Sequence, residues 1–198
     1  MSSGSRCYEG QIKFGGVQGS GKTTIIGELT GCLEKAGVYV PVLKGSLIMA
    51  AILGCKPDEI SAQDPAKRAQ ARSDMFERLA REPLGIRDGH FTVPDGRGGY
   101  EISDDFVEAT RGLVVVTASP EVIRERRILT GRVGRELDVH KIAAQQDVEL
   151  EAAKESAERH GRPLFLLDNN GSVDTLETSK SLDPLVHFVC EALKPRSI

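Results

Sequence analysis

Apolar and polar positions along this chain switch repeatedly between a two-residue and a helical period, which divides it into alternating strand-sized and helix-sized segments. Gln11-Ile12-Lys13-Phe14 alternates polar and apolar, as a short strand does. Ile25, Ile26, Leu29 and Leu33 follow at helical spacing, and Gly37 stands where a helix ends on a glycine. Val38-Tyr39-Val40-Pro41-Val42-Leu43 reads as a second, buried strand, and Ser46 to Leu53 as a short apolar helix capped by Ser46. Residues 54–65, with Pro57 and Pro65, read as a loop. A helix is predicted over about Pro65 to Glu82, with Met75, Phe76 and Leu79 as its apolar stripe. Leu84 to Asp88 is a weak third strand. Residues 92–104, rich in Gly, Asp and Pro, read as a surface loop. Leu113-Val114-Val115-Val116-Thr117 is the clearest buried strand. A helix over Glu121 to Leu129 follows, with Pro120 suited to its start. A long helix runs from about Leu137 to His160, ended by Gly161 and Pro163. Leu164 to Leu167 is the last strand and Pro184 to Leu193 the last helix.

Strands separated by helices predict an α/β fold with a parallel sheet covered on both faces. Ligands of such sheets bind beyond the carboxyl ends of the strands. That rule brings four stretches to one rim: residues 16–23, Lys44-Gly45-Ser46, Asp88-Gly89-His90, and the segment after Thr117.

Composition narrows the class only a little. A length of 198 residues suits one domain. The net charge of −3 carries no signature of a nucleic-acid or membrane surface. No apolar run reaches the ~20 residues of a membrane-spanning helix. The start, Met1 to Arg6, is polar and reads as a loose tail without a signal-peptide core. Cys7, Cys32, Cys55 and Cys190 are far apart and form no C-x-x-C pair, so the expectation is a reduced, cytoplasmic protein without a zinc site.

Chemistry enters with Gly16-Val17-Gln18-Gly19-Ser20-Gly21-Lys22-Thr23, which fits G-x-x-x-x-G-K-[ST]. The glycines let the backbone curl so that N–H groups point at phosphate oxygens. Lys22 is expected to reach the β- and γ-phosphates of a nucleotide, and Thr23 to hold Mg²⁺. Thr24 opens the following helix, whose N-terminal end favours an anion. A strand before the loop and a helix after it are the context this motif requires. Nucleotide binding is therefore the first functional reading.

Three further groups lie on or near the rim. Asp88, at the end of the third strand, offers a carboxylate for Mg²⁺, which takes one or two carboxylates and keeps several waters; an Asp-Gly turn is the plainer alternative. Arg124, Arg126, Arg127, Arg132 and Arg135 crowd twelve positions around Gly131 and Gly134. Of these, Arg127, Arg132 and Arg135 are the candidates for clamping a transferred phosphoryl group, and Arg124 reads as surface charge. Arg68 and Arg72 lie four apart on one helix face and could receive an anionic second substrate above Lys44-Gly45-Ser46; a solvated face paired with Asp64 and Glu77 is equally compatible. His90 reads either as a substrate contact or as an ordinary turn histidine.

The phosphate loop, Val42-Leu43-Lys44-Gly45-Ser46, Asp88-Gly89-His90-Phe91 and the arginine stretch occur in an order that resembles the P-loop nucleoside monophosphate kinases, above all the archaeal-type adenylate kinases. Ile142-Ala143-Ala144-Gln145-Gln146 and Asp168-Asn169-Asn170 extend the resemblance over about residues 11–192. It implies a three-layer α/β/α P-loop kinase fold with a mainly parallel five-stranded sheet. Within one domain, it implies a monophosphate-binding insertion at about 44–80 and a short, zinc-free lid at about 127–137. It also implies transfer from Mg²⁺·ATP to AMP, giving two ADP. By resemblance Lys22 and Thr23 bind phosphates and Mg²⁺, Arg127, Arg132 and Arg135 fall at lid arginine positions and are the expected catalytic residues with Lys22, and Gly45 and Ser46 fall where the family contacts the monophosphate. The motif itself adds Gly16, Gly19, Ser20, Gly21 and Thr24 as expected ATP contacts, and the rim adds Asp88 as an expected Mg²⁺ ligand and Arg72, Asp88 and His90 as expected acceptor contacts.

One position departs from the family. Adenylate kinases commonly read Asp-Gly-Phe-Pro-Arg at this turn, and the arginine grips the AMP phosphate; here Thr92 stands in its place, so Arg72 or Arg87 has to serve. Some archaeal-type relatives are trimers, and nothing in this sequence identifies an interface. Two other readings stay open: a kinase of a small non-nucleotide acceptor, and a nucleotide-switched regulatory ATPase without an acceptor.

Overall fold

The structure, a computed structural model, describes residues 8–94, 99–103, 108–131, 135–171 and 182–195. Its elements run β1 (Gly10–Gly15), α1 (Lys22–Lys35), β2 (Val42–Lys44), α2 (Gly45–Leu53), a 3-10 helix (Pro57–Ala62), α3 (Pro65–Arg81), β3 (Leu84–Asp88), β4 (Thr92–Pro94), β5 (Tyr100–Ile102), β6 (Thr110–Thr117), α4 (Pro120–Leu129), α5 (Val139–His160), β7 (Leu164–Asp168) and α6 (Asp183–Ala192). Five strands form one sheet in the order β2-β3-β1-β6-β7, every pair parallel.

The strand sequences explain the layering. Ile12, Phe14, Ile86, Val114 and Val116 point to one face and pack against α1 and α6. Leu113 and Val115, one residue out of phase, point to the other and meet Ala152, Ala153 and Ala157 of α5. Small alanines bring that helix close to the sheet. The result is the expected three-layer α/β/α arrangement. Buried on both faces, β6 has to be continuously apolar, as Leu113 to Val116 is. The helices α2 and α3 form a smaller cluster of their own around Met49, Ala71, Met75 and Leu79.

Several local expectations are corrected. Of the stretch 38–43 only Val42 and Leu43 join the sheet, in β2 (Val42–Lys44). Pro41 fixes its own φ and has no N–H to give, so the ladder begins after it, although the Pro41 carbonyl still accepts from Ile86 N at 2.8 Å. Ser46 does not cap α2. Strand β2 runs straight into the helix, which puts Lys44 at the cap position without a side-chain bond and Ser46 exposed inside the first turn. Part of the 54–65 loop is the 3-10 helix Pro57–Ala62. Strands β4 and β5, within the stretch read as surface loop, pair antiparallel as Thr92↔Ile102, Val93↔Glu101 and Pro94↔Tyr100, and Thr92 is buried.

Gln11 is a polar side chain fully buried in β1. Its amide donates to the carbonyls of Leu79 (2.6 Å) and Glu82 (2.7 Å) at the end of α3, where the Leu79 carbonyl also accepts from Glu82 N at 3.2 Å. This bond pair ties α3 to the central strand. Gln11→Leu keeps the volume and takes one donor from each carbonyl, leaving Leu79 O only its bond from Glu82 N, but also removes a buried Oε1 that has no partner among the described residues. The expected loss of unfolding free energy is therefore about 1–2 kcal/mol by urea titration, the lower part of the usual range for buried polar groups left unpaired. An unchanged midpoint would show that the tie is not used.

Candidate functional site at the carboxyl rim of the sheet

The loop between β1 and α1 turns where only glycine fits. Gly16 has φ 133°, and a Cβ there would lie 2.3 Å from the Val116 carbonyl oxygen. Gly21, at the N-cap of α1, has φ 93°, and a Cβ would lie 2.2 Å from Asn169 Nδ2. Gly19 is also left-handed, at φ 93°. Ser20 is fully buried within the curl, and Thr23 and Thr24 are exposed in the first turn of α1. Lys22 folds back over the loop, and its ammonium donates to the Gly16 carbonyl. Burial pushes the pKa of Lys22 down; the carboxylates of Asp88 and Glu149 act against this, and Arg135 adds to it.

Strand register brings the neighbouring stretches alongside. Asp88 pairs with Phe14 on one side and Lys44 on the other, so it ends level with the start of the phosphate loop. Gly45 begins α2 at the same level, and a Cβ on it would meet Met75 Sδ at 3.1 Å. Arg68 and Arg72 sit half-buried on the flank of the Ala71–Met75 stripe of α3. Arg87 does not reach the rim: it is buried in the sheet one residue earlier, in register with Lys13. The Lys13 ammonium lies 4.5 Å from the centre of the Phe91 ring.

The first half of α5 holds these pieces together. Glu149 is buried, and its Oε1 accepts from Gly16 N (2.9 Å) and Phe91 N (2.8 Å), with His90 Nδ1 at 3.5 Å. Its Oε2 accepts from Thr92 N (3.0 Å) and Thr92 Oγ1 (2.6 Å). Burial alone would raise the Glu149 pKa. The hydrogen bond and charge of His90, with the bonds from Thr92 and Phe91, outweigh that and hold it at about 2. Gln146 pairs with both backbone groups of Ala118, at 2.8 and 3.2 Å. Gln145 donates to the Tyr100 hydroxyl at 3.0 Å and accepts from Arg127 at 3.3 Å.

Arg126 and Arg127 are engaged with the protein itself. Arg127 is buried and donates to the carbonyls of Gln18 (2.8 Å) and Glu136 (2.7 Å) as well as to Gln145. Burial lowers its pKa first, and Arg135 second. Arg126 donates to Ser20 O (3.1 Å), Asn169 O (3.1 Å) and Gly171 O (3.0 Å), while Asn169 Nδ2 donates to Ser20 O at 2.8 Å. Arg135 is half-buried, near enough to Lys22 and Arg127 to affect both. Arg132 lies outside the described residues.

The rim thus gathers the loop 16–24, Gly45, Ser46, Asp88, His90, Arg127 and Arg135. Sequence reading missed Glu149, Arg126 and Asn169. Glu149 sits 133 residues from Gly16, inside a helix that reads as ordinary amphipathic sequence, and no local signal marks it. Asn169 was in view only as part of a turn.

The architecture is a P-loop kinase fold. A shikimate kinase from Bacteroides thetaiotaomicron superposes with a TM-score of 0.56 at 15% identity, covering 91% of this chain and 98% of that one. A candidate kinase from Chloroflexus aurantiacus superposes at 0.57 with 16% identity, over 95% of this chain and 100% of that one. At these identities the likeness concerns the fold. No curated protein matches the chain. A family model described as an AAA domain matches residues 15–143, well over half of the chain, and the chain belongs to that family.

Proposed function

We propose that this protein transfers the γ-phosphoryl group of ATP to a small anionic acceptor bound beside Asp88. One observation carries the reading: the Lys22 ammonium, buried on the phosphate loop, shares its surroundings with the carboxylate of Asp88 and the guanidinium of Arg135. That is the charge pattern phosphoryl transfer uses, in which positioning and electrostatic stabilisation do most of the catalysis. ATP binds along Gly16 to Thr24, and Lys22 leaves the Gly16 carbonyl for the phosphates. Thr23 and Asp88 are hard oxygen donors, exposed on the helix and half-buried at the strand end respectively, and this pair suits Mg²⁺. When bound, the ion would neutralise charge on the phosphates. Arg135 stabilises the transferred group. Arg127 acts by holding Gln18 and Glu136, and so shapes the loop from behind.

The acceptor lies between the start of α2 at Gly45 and Ser46, Arg72 of α3, and the Asp88–His90 turn. AMP is the first acceptor to test, because two adjacent anion sites suit it. A small non-nucleotide acid is the second reading. It is favoured by Thr92, whose hydroxyl is committed to Glu149, so that position brings no cation to a phosphate. The name of the shikimate kinase neighbour adds to that reading.

The test is ADP formation in a coupled assay with Mg²⁺·ATP and AMP, CMP, GMP, UMP, shikimate, gluconate or no acceptor. Turnover strictly dependent on AMP supports the adenylate reading, and turnover dependent on an acid the second. Equal ATP hydrolysis with and without every acceptor overturns phosphoryl transfer to an acceptor and favours a nucleotide-switched ATPase. A bis-adenosine polyphosphate that raises the Tm well beyond ATP alone would support two adjoining nucleotide sites by linkage.

A further inference from the structure

Glu149 touches the donor loop and the acceptor turn with a single carboxylate. Its Oε1 takes the Gly16 N–H, the first amide of the phosphate loop, and also the Phe91 N–H. Its Oε2 takes both donors of Thr92. The opposite side of Gly16 is held as well, because the Gly16 carbonyl accepts from Lys22. Gly15 makes the close approach possible. A Cβ there would stand 2.1 Å from the Phe91 ring and 3.2 Å from Glu149 Oε1. Two segments about 75 positions apart in sequence are thereby pinned to one side chain on α5.

We propose that Glu149 is a positioning residue of the phosphoryl-transfer site, whose two carboxylate oxygens hold the Gly16 end of the donor loop and the His90–Thr92 end of the acceptor turn in one fixed register. The proposal rests on the phosphotransferase reading above. The chemistry requires a carboxylate. Four N–H and O–H donors converge on two oxygens, and an ionised carboxyl accepts at both, whereas an amide offers one accepting oxygen and turns two N–H donors toward groups that are donors themselves. Tying both segments to one rigid helix sets the separation of donor and acceptor, and a misplacement of ~1 Å can lower a rate on the order of 100-fold. Nucleotide affinity depends mainly on the remaining loop amides and Lys22. Loss of Glu149 therefore lowers kcat far more than it raises the KM for ATP.

The experiment compares wild type, Glu149→Gln and Thr92→Val in two ways: kcat and KM for ATP with the acceptor that supports wild-type turnover, and amide exchange by mass spectrometry over 15–24 and 86–93. In Glu149→Gln, kcat is expected to fall roughly tenfold or more while the KM for ATP stays within about threefold. Exchange is expected to rise in both segments together, with β6 and the part of α1 beyond residue 24 still protected. Thr92→Val, which removes one donor and keeps the side-chain shape, moves the same readouts in the same direction by less, and it carries the test alone if Glu149→Gln does not fold. A kcat within twofold of wild type in the folded variants overturns the proposal. So does faster exchange in one segment only, or faster exchange throughout the molecule with kcat and KM changed alike. If wild type turns over no acceptor, the phosphotransferase reading has failed, and the paired rise in exchange decides by itself whether Glu149 joins the two segments.

Discussion

Replacing Lys22 by alanine is expected to lower kcat by on the order of 10²–10³-fold, the loss typical of removing one preorganised charge that meets a transition state. The fold should survive. Lys22 is buried, and burial disfavours its charged form, so the ammonium is held at a cost in the native state. Alanine removes that cost together with a single bond to the Gly16 carbonyl, and glycine-shaped loop geometry supplies the rest of the curl. The Tm without ligand should therefore be close to wild type, while the rise in Tm caused by Mg²⁺·ATP shrinks. A coupled assay and paired melting curves check both halves. Near-normal kcat in a folded Lys22→Ala protein would overturn the assignment of the phosphate loop.

The second large effect concerns acid stability. The Glu149 carboxyl titrates at about 2 in the folded protein against an ordinary value of 4.5. A depressed folded-state pKa contributes stability that is present above the unfolded value and lost as pH falls toward the folded one. The window is therefore roughly pH 4.5 down to 2. The shift corresponds to about 3 kcal/mol at pH 7, a large fraction of the stability of a typical domain. Urea unfolding of wild type and Glu149→Gln at pH 7 and pH 3 measures it. Wild type should be the more stable at pH 7, and its advantage over Glu149→Gln should be about 2 kcal/mol smaller at pH 3. A gap equal at the two pH values would mean that the carboxylate is not held in its ionised form by His90, Thr92 and the backbone donors.

The two expectations differ in how visible their residues are beforehand. Lys22 belongs to a contiguous motif in which each position has a local task, so spacing alone identifies it. Strands β1, β3, β6 and β7 and helices α1 and α3–α6 are similarly legible, because a strand buried on both faces or a helix buried on one has to show its period in sequence. Legibility failed where a neighbour overrode local preference. Gly, Asp and Pro between 92 and 104 indicate loop, yet Thr92–Pro94 pairs with Tyr100–Ile102 while Thr92 and Tyr100 are drawn to Glu149 and Gln145 of α5. Ser46 has the composition of a cap and lost the role because β2 leads into α2 without a connecting residue.

The arginines show the same division. Their density around position 127 points to the rim of the sheet, but density does not assign tasks. Arg127 is buried against the Gln18 and Glu136 carbonyls, and Arg126, a neighbour with the same sequence character, joins Ser20 to the turn at Asn169 and Gly171. One position around a helix changes the direction of a side chain by about 100°, and only the packing partners decide which direction leads to which loop.

By itself, then, the sequence determined the phosphate-loop motif, the α/β alternation and which stretches end at the carboxyl rim of the sheet, because each follows from residue spacing within a short segment. Tertiary structure alone decided how that end is held. Gly16, His90 to Thr92 and Glu149 come from three distant parts of the chain, and a buried carboxylate surrounded by donors becomes recognisable only when the fold has brought the donors to it.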